Sequence, residues 1–166
     1  MSDILIRRVE PGDLSALTEI YNHYIHNTAY TFDLRPKSLD ERKEWMRVFQ
    51  PVGRWQCFVA VKEGQPIGWA NSGKFREKDA YYATVETSIY LAPDEVGQGI
   101  GRRLYTTLFE ALVGQDVHRA IGCLTMPNQA SVALHKAMGF VHVGDFHEVG
   151  RKFNRFWDVA WYEKSF

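Results

Sequence analysis

Thiol chemistry is nearly absent from this 166-residue chain, which has two cysteines, Cys57 and Cys123. Neither belongs to a C-x-x-C pair or stands at metal-ligand spacing from a histidine, which excludes a disulfide scaffold and argues against a zinc site. Both sit among apolar, strand-like neighbours and read as reduced core residues, with a catalytic thiol as the lesser reading. Net charge is also missing. Lys plus Arg and Asp plus Glu are each 20, so nothing points to a nucleic-acid or anionic-membrane surface. No apolar run approaches the ~20 residues of a membrane-spanning helix. The charges at Arg7 and Arg8 follow a very short apolar run, the wrong order for a secretory signal, and a cytoplasmic protein is expected. The sequence has no Gly-Lys-Ser/Thr and no G-x-G-x-x-G, so a P-loop is out and a nicotinamide-binding unit is disfavoured. Repeats, low-complexity tracts and linkers are absent too. With 45% hydrophobic and 24% charged residues, the chain is expected to fold as one domain over 1–166.

What is present centres on residues 95–105. Residues 85–91 are rich in β-branched and aromatic side chains and read as a strand. Downstream, Leu104, Leu108, Ala111 and Leu112 recur at helical spacing, with Gly114 as the stop. Between them lie Gly97, Gly99 and Gly101. A glycine-rich turn entering a helix leaves backbone N–H groups unpaired at the positive end of the helix dipole, an anion site suited to phosphates. The alternative for three glycines alone is an ordinary turn.

The remaining chain reads in order as a strand over 4–9, a helix carrying Leu14, Leu17, Ile20, Tyr21 and Tyr24, and a second helix opened by the Ser38–Glu41 capping box and carrying Trp45, Met46 and Phe49. Strand-like runs over 56–61 and 67–75 flank a hairpin turn at 62–66. A strand over 118–124, a short helix from Asn128 with Gly139 past its end, and a strand pair over 141–149 and 153–162 around Gly150-Arg151-Lys152 complete the order β-α-α-β-β-β-α-β-α-β-β. Pattern alone gives a mixed α/β protein with much antiparallel sheet.

The strand Thr84-Val85-Glu86-Thr87-Ser88-Ile89-Tyr90, followed by Gly97-x-Gly99-Ile100-Gly101, resembles the acetyl-coenzyme A motif of the GNAT acetyltransferases. A second signature, Asn128-x-x-Ser131-x-x-x-His135-x-x-x-Gly139-Phe140, is similar to that superfamily's N-x-x-A-x-x-x-Y-x-x-x-G-F. The likeness covers almost the whole chain and implies the GNAT fold, a central, mostly antiparallel twisted sheet flanked by helices. It further implies acetyl-CoA as cosubstrate with no metal, held by Ser88, Ile89, Tyr90, Val96, Gly97, Gln98, Gly99, Ile100, Gly101, Arg102, Asn128 and Ser131. Val96 stands where the family usually has Arg or Gln, which removes one side-chain donor.

Acetyl transfer from a thioester needs a neutral amine, a polarised carbonyl and a proton for the leaving thiolate. Glu86, in an otherwise uncharged strand, is the candidate base; its alternative is a hydrogen-bonding brace. His135 stands where many relatives carry a tyrosine that protonates the sulfur, and an imidazolium could do that work near neutral pH. Tyr105 and Tyr90 are fallback acids. The resemblance narrows, through His135 and the tail Gly150-x-Lys152-Phe153-x-Arg155-Phe156-x-Asp158-Val159, to the phosphinothricin and methionine sulfoximine N-acetyltransferases, which acetylate the α-amino group of glutamate-like amino acids. Such acceptors are anionic and call for cations. The expected acceptor contacts are Lys74, Phe75, Arg76, Val85, Glu86, Thr87 and Tyr30, with a solvated loop as the alternative for Lys74 and Arg76. Arg151, Lys152 and Arg155 are further basic residues, read as structural or close to the cofactor. Relatives suggest a homodimer. Acetylation of protein N-termini or lysines, and a non-catalytic acyl-CoA-binding module, are the competing functions.

Overall fold

The computed structural model describes residues 3–166; the first two residues of the N-terminal segment read above lie outside the described residues. The elements are β1 (Ile4–Arg8), α1 (Leu14–Asn27), α2 (Leu39–Met46), β2 (Cys57–Lys62), β3 (Gln65–Lys74), β4 (Thr84–Leu91), α3 (Ile100–Leu112), β5 (Arg119–Thr125), α4 (Gln129–Ala137), β6 (Val141–Lys152) and β7 (Arg155–Ser165). Short 3-10 turns precede α1, β4 and α3. The mixed α/β order is the one expected, and the strands form one seven-stranded sheet in the order β1-β2-β3-β4-β5-β7-β6. All neighbours are antiparallel except β4 and β5.

The parallel pair is short. Thr84, Val85 and Glu86 meet Arg119, Ala120 and Ile121, and there the pairing stops. Beyond that point β4 stays with β3 as far as Leu91, opposite Gly68, and β5 stays with β7 as far as Thr125, opposite Val159. The two strands therefore part just after Glu86, and the backbone of β4 from Thr87 onward faces a gap rather than a ladder.

Helices cover both faces. Leu104, Tyr105, Leu108 and Leu112 of α3 are fully buried and pack with Val85, Ala60, Ala70 and Ala120 of the sheet. That alternation follows from the 3.6-residue period of the helix, and each large apolar side chain taken out of water contributes about 1.5–3 kcal/mol. On the other face Leu17 and Ile20 of α1 pack with Val59, Val61 and Trp69. The capping box at α2 forms as expected: the Glu41 N–H donates to Ser38 Oγ at 3.2 Å and the Ser38 N–H to Glu41 Oε2 at 2.8 Å. Phe49 lies beyond the end of that helix.

Two hairpins differ instructively. Between β2 and β3 the turn is Glu63-Gly64, with φ of 51° and 81°, joining Lys62 to Gln65; this is the two-residue left-handed turn that a glycine promotes. Between β6 and β7 the expected turn at Gly150-Arg151-Lys152 is displaced. Those residues continue β6, and the chain reverses at Phe153-Asn154, both at positive φ, 51° and 57°. Gly150 is needed in the strand because a Cβ there would collide with the Phe32 ring, while asparagine tolerates the left-handed conformation the turn requires. No helix among the described residues is long and apolar enough to cross a membrane.

Candidate active site

A cavity of about 860 Å³ occupies the gap where β4 and β5 part. Its two ends are built differently. One end is lined by Val96, Asn128, Ala130 and Ser131; the expected cofactor residues Gly97, Gln98, Gly99, Ile100, Gly101 and Arg102 follow Val96 in the chain but are not among the lining residues. Gly97 and Gly99 have φ of 83° and 78°, a left-handed backbone that L side chains adopt at a cost, and a Cβ at either would meet nothing within 4 Å, so conformation and not crowding selects glycine there. The first helical bond is donated by the Arg103 N–H to the Gly99 carbonyl at 3.2 Å. The N–H groups of Ile100, Gly101 and Arg102 therefore precede the ladder, at the positive end of the helix. Unpaired N–H groups at a helix N-terminus suit an anion such as a diphosphate. Gly101 is glycine for a second reason: a Cβ would sit 3.1 Å from Leu134 of α4, so the two helices approach closely. Lys62 grips Glu95 at 2.7 Å and 3.0 Å and ties the turn before the loop to the β2–β3 hairpin.

Asn128 and Ser131 flank this end. Asn128 Oδ1 accepts the Ser131 N–H at 3.2 Å, capping α4, and both residues line the cavity. Val96 lines it as well, 48% exposed and with no side-chain donor to offer. Ser88, Ile89 and Tyr90 supply the β4 wall. Gln98 bonds back to the Asp94 carbonyl at 3.3 Å, Arg102 is exposed, and the Ile100 side chain is in the core, leaving only its backbone for a ligand.

In the middle of the cavity stands Glu86. Its carboxylate has no hydrogen bond or ion pair among the described residues, and burial pushes its pKa up while Arg76 pulls it the other way. A carboxylate braced by hydrogen bonds would show partners; this one faces open space and holds its proton more tightly than an exposed glutamate. Phe75 and Arg76 line the cavity beside it, with the guanidinium 5.0 Å from the Phe75 ring centroid.

His135 is buried at 3% exposure, packed so closely on β5 that a Cβ at Gly122 would lie 2.8 Å from its ring. Its Nδ1 is 2.8 Å from the Ser131 carbonyl, and since a carbonyl only accepts, the proton is on Nδ1. Nε2 is then the acceptor for the Tyr105 hydroxyl at 3.3 Å. Burial lowers the His135 pKa, and the ring is neutral near pH 7. The expected imidazolium acid is therefore corrected to one half of a buried Tyr105–His135 pair. Burial also raises the Tyr105 pKa, so its hydroxyl keeps its proton.

Two expected acceptor contacts do not reach the cavity. Val85 is fully buried in the α3 core, because residues alternate faces along β4 and Glu86 takes the open side. Lys74 is outside the lining and pairs with Glu77 at 2.6 Å. Thr87 and Tyr30 do line it. Arg151 and Arg155 lie at the far hairpin, bonded to Asn154 and stacked on Trp157 respectively. Lys152 is structural: buried, it donates to the Thr31 carbonyl at 2.8 Å and, with Phe32 against Gly150, closes the α1–α2 segment over β6. Sequence reasoning missed Phe32, Phe146 and Trp161 at the acceptor end. Trp161 carries the one legible signal, an aromatic at a strand position facing Phe75 and Phe146. Cys123 reaches the cavity, but burial pushes its pKa up to about 12 and the thiol stays protonated and unreactive.

Residues 6–161 match the family model described as an acetyltransferase (GNAT) domain. The chain is 48% identical to a phosphinothricin N-acetyltransferase of Streptomyces coelicolor, over 95% of each chain. It is 33% identical to an L-methionine sulfoximine/L-methionine sulfone acetyltransferase of Salmonella typhimurium, over 93% of this chain and 90% of the relative. A GNAT superfamily phosphinothricin acetyltransferase from Sinorhizobium meliloti, solved in complex with AcCoA, superposes with a TM-score of 0.89 at 31% identity, over 99% of this chain and 89% of that one. With a glycine-built turn at the head of α3, a half-buried carboxylate in the parting of β4 from β5, and these relatives, the chain belongs to the GNAT acetyltransferase family.

Proposed function

We propose that this protein transfers the acetyl group of acetyl-CoA directly to the α-amino group of a glutamate-like amino acid or analogue, of the phosphinothricin or methionine sulfoximine type. The observation that carries this reading is Glu86, a half-buried and unpartnered carboxylate lining the cavity beside Arg76. Acetyl-CoA supplies the activated acetyl group. The N–H groups at the head of α3 hold its diphosphate, and a backbone N–H from the Ser88–Tyr90 stretch, which has no β5 partner, is offered to the carbonyl oxygen. Glu86 takes the ammonium proton directly or through water, and a raised pKa suits a base working near neutrality. For the leaving thiolate, the proton source in this reading is the Tyr105 hydroxyl, which lines the cavity against His135.

Arg76 is the cation for the acceptor's carboxylate, and Phe75, Tyr30 and Trp161 shape its apolar wall. The Lys152–Thr31 bond and the Phe32–Gly150 contact wall this end in, which suits a small molecule better than a peptide in an open groove. All 166 residues act as one catalytic domain, and a supply of acetyl-CoA and free amino acids accords with a cytoplasmic setting. Val141 and Val143 on β6, Phe156 on β7 and Phe153 in the turn between them are exposed apolar side chains, which we assign to a homodimer contact. Sedimentation at equilibrium would give twice the chain mass, and a monomer at micromolar concentration would refute that assignment.

The test is free-thiol release from acetyl-CoA with a panel holding phosphinothricin, methionine sulfoximine, methionine sulfone, glutamate and an N-terminal peptide. Turnover with amino acids and none with the peptide is expected. Turnover with the peptide alone would move the function to protein acetylation, and thioester binding without any release would make the protein a binding module.

A further inference from the structure

A second cavity, of about 320 Å³, lies between α1, α2, β3 and β4. Arg42 of α2 lines it at 5% exposure. Its guanidinium carbon is 3.6 Å from the Trp45 ring centroid and 5.1 Å from those of Tyr21 and Trp69. Nε and Nη2 are covered and have no acceptor, and Nη1, which is not covered, has none among the described residues either. The carboxylates that share the cavity are already engaged. Asp33 accepts from the Tyr21 hydroxyl at 2.6 Å and pairs with Lys37 at 3.2 Å, while Glu41 caps its own helix and pairs with Arg35 at 2.9 Å. Burial brings the Arg42 pKa down to about 10, so the group is still a cation near neutrality. A buried charge without an acceptor is costly, and aromatic faces alone offset only part of that cost. Planar, delocalised guanidinium is the cation best suited to close around an oxyanion.

We propose that this cavity is an anion subsite of the acceptor site, in which Arg42 receives the carboxylate or other anionic group at the end of the acceptor's side chain. The inference rests on the amino-acid acetyltransferase reading and extends it. Tyr21, Ser88 and Tyr90 line both cavities. Ser88 follows Glu86 by two residues on the same face of β4, a separation of about 6.6 Å at the rise of a strand, which matches the span of a glutamate-like molecule from amine to side-chain carboxylate. Arg76 beside Glu86 takes the α-carboxylate and Arg42 takes the second anion, so the acceptor is read at two points. Asn71 and Ser88 add neutral polar groups to the lining of the Arg42 cavity.

Arg42→Met tests this with acceptors that differ in the side-chain terminus. For glutamate-like, anionic acceptors the KM rises about 10- to 100-fold, the effect expected of a lost charge-assisted contact. For methionine sulfone, whose side chain is neutral, KM stays within about twofold of the wild-type value, and so does the KM for acetyl-CoA. Equal losses for anionic and neutral acceptors would show that Arg42 only clips α2 to the sheet, and would overturn the proposal. A second readout needs no turnover: inorganic phosphate or glutarate quenches the emission of Trp45 and Trp69 saturably in the wild type and not in Arg42→Met. Quenching alike in both proteins, or in neither, overturns the subsite. If the wild type acetylates no amino acid, the proposed function fails while this titration still decides the subsite. Should Arg42→Met not fold, Arg42→Lys, which keeps the charge and loses the planar fork, is expected to weaken phosphate quenching partway; undiminished quenching would count against the assignment.

Discussion

The two ends of the cleft are made of different materials. At the α3 end the groups proposed for the ligand are backbone N–H donors of the turn through Gly97 and Gly99 and of the first turn of one helix. At the acceptor end they are side chains brought from four separate stretches, Tyr30 and Phe32, Phe75 and Arg76, Phe146, and Trp161. A backbone cradle recognises a diphosphate common to every acyl-CoA, and side-chain substitutions around it change little. A wall of side chains is altered one residue at a time, so specificity for the acceptor resides there. Glu86, the proposed base, stands at the boundary, where β4 loses its β5 partner.

That contrast can be broken by substitutions that should hit one ligand and spare the other. The largest effect belongs to the boundary. Glu86→Gln is expected to lower kcat/KM by about 10²- to 10⁴-fold, the range of general acid–base contributions, with acetyl-CoA affinity unchanged by titration calorimetry. Arg76→Ala should raise the acceptor KM about 10-fold or more while leaving the acetyl-CoA KM alone, as measured by free-thiol release. Gly99→Ala does the reverse. A left-handed L residue costs about 1–2 kcal/mol, so acetyl-CoA binds roughly 5- to 30-fold more weakly, by titration calorimetry, and the acceptor KM is unmoved.

The smallest effect is on stability. Because the fold raises the Glu86 pKa, the protonated form is the one it favours. The resulting stability is complete below the ordinary glutamate pKa and is lost as pH rises through the raised value. Glu86→Gln removes that loss. Its Tm relative to wild type should climb as pH goes from 4 to 8, read by differential scanning calorimetry; a constant difference would mean the carboxylate is not perturbed.

The backbone end was legible in the chain because its signals are local. Three glycines, a strand before them and a helix after them lie together between Thr84 and Leu112, and the capping box at Ser38 and the cap at Asn128 are short-range too. The acceptor end was only half legible. Arg76, Phe75 and Tyr30 were expected there, but Lys74 and Val85 were misplaced for want of the strand's facing, and Phe32 enters because it packs on Gly150, 118 positions away. His135 was located by spacing, yet its neutral state depends on burial against Gly122 and on the Ser131 carbonyl. The β6–β7 turn failed for a similar reason: a glycine wanted for a tertiary contact was read as a local turn signal. Arg42 left no mark at all, since a lone arginine on a helix reads as solvated.

The most direct test of the central claim, that Glu86 is the base in a cleft shared by thioester and amine, is the pH profile of kcat/KM for the best acceptor in wild type and Glu86→Gln. The wild type should show an acidic limb above the ordinary carboxylate range, with activity rising as Glu86 loses its proton, and the variant should be flat and slow across that window. An acidic limb that survives in Glu86→Gln at near wild-type rate would place the base elsewhere.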